Sequence, residues 1–126
     1  MGLVLDTGGL IAFDRGNRQV AALVEAARRR RDRVVTSSGC VAQAWRGDGS
    51  RQALLARLLG GAVEVGIDHW VSRSIGDLCG ATKTTDVVDA HAALLARDGD
   101  VVLTSDVDDL RRLLRARHVD VQILPC

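Results

Sequence analysis

Gly2-Leu3-Val4-Leu5-Asp6-Thr7-Gly8-Gly9, residues 2–9, is the stretch on which the fold reading turns. Its apolar run stops at Asp6 and three turn-forming residues follow, the pattern of a buried strand running into a tight turn. The same pattern recurs downstream. Arg33-Val34-Val35-Thr36, Ala62-Val63-Glu64-Val65, Val101-Val102-Leu103 and the segment Val119 to Leu124 read as four further strands. Helical stretches alternate with them: Leu10 to Asp14, then a helix capped by Asn17 that carries Val20, Val24 and Ala27. A third helix is capped by Ser37 or Ser38 and runs through Trp45, and a fourth is opened by Ser50 and closed by Gly60-Gly61. Asp68 caps a fifth from His69 to Leu78, a loop spans Gly80 to Thr85, and the last two helices run over Asp86 to Ala96 and Asp106 to Ala116. This alternation predicts one α/β domain over residues 1–126, a three-layer α/β/α sandwich around a central parallel sheet.

Composition narrows the function. The chain of 126 residues is 47% hydrophobic and 26% charged, enough for one ordered domain with a sizeable core. No apolar run approaches the ~18 residues that cross a bilayer. No basic segment leads into an apolar signal core either, so a cytoplasmic protein without membrane association is expected. Lys and Arg total 17 against 16 Asp and Glu, a net charge of +1 that excludes nucleic-acid binding by bulk charge alone. Aromatic residues at 2% leave little for stacking bases. Cys40, Cys79 and Cys126 are far apart and form no CxxC, against a zinc ribbon or a disulfide framework.

The acids are distributed unevenly. Fourteen of the 16 are Asp, and seven of those lie between Asp86 and Asp109. Open α/β sheets bind ligands beyond the carboxyl ends of their strands, where Asp6 and Asp106 fall. Asp86 and Asp89 start a helix three residues apart, and Asp109 stands in the same relation to Asp106. If the first and fourth strands are neighbours, several carboxylates converge, and a hard divalent cation relieves their repulsion. Helix capping competes as an explanation and is the reading for Asp86, with Asp89 in the first turn. For Asp6 and Asp106 together a functional site is the expectation, because Thr7-Gly8-Gly9 makes a turn unaided.

LVLDTGGLIA (Leu3 to Ala12), SSGCVAQAWRG (Ser37 to Gly47), DVVDAHAALLA (Asp86 to Ala96) and VVLTSDVDDL (Val101 to Leu110), in this order and spacing, resemble the PIN-domain family. They resemble in particular the bacterial VapC-type toxin ribonucleases, over essentially the whole chain. The resemblance implies a Mg²⁺- or Mn²⁺-dependent endoribonuclease that hydrolyses RNA phosphodiesters and leaves a 5′-phosphate. It also implies a homodimer held inactive by a small antitoxin. It puts the metal-binding, catalytic acids on Asp6, Asp89 and Asp106, with Thr7 or Ser105 hydrogen-bonding in support; Asp86 and Asp109 are supporting candidates by their spacing alone. The metal would polarise the phosphate and activate a water.

The family's second acid, a glutamate, falls on Gln43, which offers a carbonyl oxygen but no charge. Gln43 is therefore expected to bond Asp6, Asp89, Asp106 or a water on the metal. Its presence also supports the alternative of a weak or inactive PIN fold that binds RNA or a protein without cleavage. Arg46, three residues on and on the same helical side, is the candidate phosphate contact. Arg28 to Arg31 read as a solvated helix end, and His69, His91 and His118 as packing or surface residues. Leu5-Asp6-Thr7-Gly8 also matches an aspartic-protease triplet, but the long helical stretches contradict that nearly all-β fold. The chain has no GxGxxG, P-loop or GxSxG.

Overall fold

A computed structural model describes residues 1–47 and 52–126. Five strands, β1 (Leu3–Leu5), β2 (Val34–Ser37), β3 (Val63–Val65), β4 (Val101–Thr104) and β5 (Gln122–Pro125), pair in parallel in the order β3-β2-β1-β4-β5. Among the described residues the helices are α1 (Thr7–Asp14), α2 (Arg18–Arg29), α3 (Ser38–Ala44), α4 (Ala53–Gly61), α5 (His69–Thr82), α6 (Val87–Leu95) and α7 (Val107–Arg117). The chain winds outward from β1 to β3, then α5 and α6 carry it back to place β4 on the other side of β1. Winding reverses between β1 and β4, and in parallel sheets that reversal opens a crevice at the carboxyl ends of the two strands.

Alternation along the strands separates the layers. Leu3 and Leu5 of β1 join Leu10, Val20, Val24, Cys40, Leu55 and Leu58 in one core, on the side of α1 to α4. Val4, Val35 and Val102 point the other way, onto Ile75 of α5, Ala90 and Ala93 of α6, and Leu110 and Leu113 of α7. The fold is thus α/β with an all-parallel five-stranded sheet covered on both faces. α2 shows the local logic: Asn17 caps it by accepting from the Val20 N–H at 3.0 Å, and Val20, Val24 and Ala27 bury one stripe.

Several boundaries differ from the sequence reading. α1 begins at Thr7 rather than Leu10, because Thr7-Gly8-Gly9 is its first turn and not a separate one. α3 ends at Ala44, before Trp45. α5 continues through Gly80 to Thr82, where a loop is expected, and ends on Lys83 in the left-handed conformation, φ 56°. Burial of Ile75 and Leu78 against α6 and α7 outweighs the ~1 kcal/mol that each helical glycine costs. β5 lies later than expected and takes in Pro125, tolerated because β5 is an edge strand. The Ser50 cap lies outside the described residues.

Asp100 is buried at the amino edge of the sheet, where it accepts from the Gly2 N–H (2.7 Å), the Arg97 N–H (2.8 Å) and Arg33 Nη2 (2.7 Å). It ties the starts of β1, β2 and β4 together. Among the described residues no helix is long and apolar enough to cross a membrane.

Candidate metal centre

Three carboxylates meet at the carboxyl edge of the sheet. One oxygen from each of Asp89, Asp106 and Asp109 lies within 4.8 Å of the other two. Asp89 projects from the first turn of α6, Asp106 is the residue before α7, and Asp109 lies in the first turn of α7. Both helices point their amino ends at this edge, so their dipoles favour negative charge there. All three donors are carboxylate oxygens and all are at least partly exposed, a set that suits a hard divalent cation rather than a soft one.

Asp6 stands outside that trio. Its side chain is 3% exposed and caps α1 by accepting from the Gly9 N–H at 3.0 Å, so the turn expected to form unaided uses the carboxylate after all. Capping does not hold Asp106. It occupies the cap position of α7 without a side-chain cap bond, which leaves the carboxylate free to face Asp89 and Asp109. Asp86 does cap α6, accepting from the Asp89 N–H at 2.9 Å, as its sequence position suggests.

Proton affinities show the strain of this crowding. Partial burial, then the charges of Asp86, Asp106 and Asp6, push the Asp89 carboxyl up to about 7. Loss of hydration, then the Asp109 charge, raises Asp106 as well. Burial raises Asp6, with the Thr104 hydroxyl and the Gly9 and Gly8 N–H groups pulling it partly back. A bound cation would reverse these penalties by favouring the ionised forms.

Gln43 is exposed on α3 and its Oε1 accepts from the Thr7 hydroxyl at 2.6 Å. The expected bond to Asp6, Asp89 or Asp106 is replaced by this bond to the neighbour of Asp6. Arg46 lies past the end of α3, not one turn along it. Its guanidinium folds back onto the carbonyls of Gln43 (2.6 Å) and Trp45 (3.0 Å), so it caps α3 instead of reaching toward the acids. Ser105 is exposed and packs on Gly8. His91 is fully buried with neither ring nitrogen hydrogen-bonded among the described residues, and burial lowers its pKa.

Asp109, read from its spacing to Asp106 as a supporting acid, is one of the three converging donors. One feature of this edge is invisible to a motif scan. A cavity of about 570 Å³ adjoins the edge beside Gly8 and Ser105, and among the described residues Arg15 is the only charged side chain in its lining. Comparison with protein-family models and with curated proteins finds no match to the chain.

Proposed function

We propose that the chain is a divalent-metal-dependent endoribonuclease of the PIN type, acting as the toxin of a toxin–antitoxin pair. The observation that carries this reading is the meeting of Asp89, Asp106 and Asp109 oxygens within 4.8 Å, beside the β1–β4 switch point. Asp89 and Asp106 would hold Mg²⁺ or Mn²⁺ with Asp109 as a third donor. Asp6 adds negative charge from below and fixes the start of α1. Bound there, the ion supplies Lewis-acid polarisation of a phosphodiester and lowers the pKa of a water. Without the ion, burial and the neighbouring carboxylates hold the Asp89 carboxyl near neutrality, so binding of the cation would release a proton from it. The exposed carboxyl edge gives a polymer access, which a closed pocket would not. The motif order that resembles VapC-type toxins supports RNA as the substrate, and with it a homodimer and a small antitoxin in the cytoplasm.

A second reading keeps the fold and drops the cleavage. It is favoured by Gln43, which brings no charge and spends its Oε1 on Thr7. Calorimetry with Mn²⁺ and cleavage of a labelled RNA, each with and without EDTA, separate the two. Asp106→Asn should weaken Mn²⁺ binding at least about tenfold and abolish cleavage. Wild-type protein that binds Mn²⁺ and RNA without cutting would favour the second reading. Unchanged Mn²⁺ binding in Asp106→Asn would overturn the site.

A further inference from the structure

The cavity of about 570 Å³ opens beside the ridge where Gly8 meets Ser105, the residues that follow Asp6 by two and precede Asp106 by one. Ile11 and Ala12 of α1 and Cys126 give it apolar lining, while Arg15, Asn17 and Ser105 supply polar groups. Arg15 makes no ion pair among the described residues. Its neighbour Asp14 is turned away, accepting from the Leu55 N–H at 3.2 Å. An Arg without an ion pair among the described residues, lining a partly apolar hollow that reaches Ser105, the residue before Asp106, suits a group that is anionic at one end and apolar at the other. A nucleotide is such a group: its phosphate takes the Arg fork and its base covers aliphatic surface.

We propose that this cavity receives the nucleotide adjoining the scissile bond of a single-stranded RNA, with Arg15 contacting its phosphate. The inference rests on the ribonuclease reading above and assigns it a substrate path across the Gly8–Ser105 ridge. Arg15 takes the role that Arg46 cannot fill, since the Arg46 guanidinium is spent on the carbonyls of α3. Recognition without stacking fits a chain with so few aromatic residues. Repulsion between the strand and the acid edge makes a cation at this point valuable, and Arg15 is the one that the cavity wall supplies.

Fluorescence anisotropy of a labelled single-stranded RNA oligonucleotide tests this, in Ca²⁺, with the RNA checked for intactness on a gel. Arg15→Gln should weaken binding about tenfold and lower the slope of log affinity against log salt by about 0.7, one phosphate contact fewer. Arg15→Lys should restore the slope, and Arg46→Gln should leave both quantities at the wild-type values. If wild type binds and Arg15→Gln matches it in affinity and slope, the cavity is off the RNA path and this inference falls while the ribonuclease reading stands. If wild type binds no RNA in any salt, both fall, and a protein ligand for the cavity becomes the better account.

Discussion

Gly8 lies so close to Ser105 that a Cβ on Gly8 would sit 2.8 Å from the Ser105 backbone nitrogen. This contact brings the end of β1 against the end of β4, and with it Asp6 into electrostatic reach of Asp106. Gly9 repeats the approach, where a Cβ would be 3.0 Å from the Leu103 carbonyl oxygen. Neither glycine is needed for a left-handed turn. They are needed because α1 starts with its backbone pressed onto β4.

Gly8→Ala should therefore destabilise the protein by about 1–3 kcal/mol, although alanine is the better helix former by ~1 kcal/mol. Urea denaturation gives the sign directly. A gain in stability would mean that α1 can lift off β4 at no cost. The same substitution should weaken Mn²⁺ binding, because the added methyl pushes the β1 and β4 ends apart.

Asp89 links the metal site to pH. Its folded carboxyl keeps a proton up to about pH 7, whereas an unperturbed Asp releases it near 3.8. Between these values the native state binds more protons than the unfolded state, so in EDTA this group's contribution to stability falls as pH rises. Asp89→Asn should flatten that part of the profile and leave the metal-free protein more stable than wild type above pH 7. Mn²⁺ binds the ionised form, so its stabilisation of wild type should be largest on the alkaline side. Thermal denaturation from about pH 4 to about pH 8, with Mn²⁺ or EDTA, reads both effects. A wild-type profile in EDTA identical to that of Asp89→Asn would refute the coupling.

His91 works in the opposite direction. Burial holds its pKa below the usual 6.5, so on acidification the unfolded chain takes up a proton before the folded one does. Its contribution to stability is full above 6.5 and is lost as pH falls below that value. His91→Leu removes two buried nitrogens that have no partner among the described residues, so no hydrogen bond to those residues is lost. It should match or exceed wild-type stability, by up to about 1 kcal/mol, with the larger gain at acid pH. Denaturant midpoints at acid and alkaline pH in EDTA test this, and a loss at both would show that the imidazole has a hydrogen-bonding role.

Strands and helices were largely legible because short apolar runs and capping residues such as Asn17, Asp68 and Asp86 mark them locally. Tertiary packing decided the exceptions, as in the extension of α5 through Gly80. The acids were legible as a group but not in their grouping. Asp100 and Asp106 are six residues apart in sequence, yet β4 separates them, so one braces the amino edge and the other faces the carboxyl edge. Arg46 was misplaced because α3 stops at Ala44, three residues before the positive-φ Gly47 that follows it in sequence, so Arg46 falls in the exit from the helix and not on its face. The Gly8–Ser105 contact and the Arg15 cavity join segments about a hundred residues apart, which no local pattern encodes.

Gln43 gives the sharpest test of the site, because its present bond and its expected chemistry can be separated. The Thr7 hydroxyl donates to Oε1 at 2.6 Å, and a carboxylate in its place would accept the same hydrogen. Gln43→Glu should thus keep the α1–α3 contact and add one negative charge beside Thr7, the residue after Asp6. In EDTA that charge meets Asp6, Asp89 and Asp106, so the metal-free protein should lose stability above pH 7, where all are most ionised. With Mn²⁺ the sign should reverse: each added carboxylate strengthens a divalent site, and affinity should rise about tenfold, together with any RNA cleavage. Calorimetry, thermal denaturation and a cleavage assay in one buffer read all three. A Gln43→Glu protein with unchanged stability in EDTA and unchanged Mn²⁺ affinity would place residue 43 outside the electrostatic reach of the site. The Thr7 bond would then be only a brace between α1 and α3.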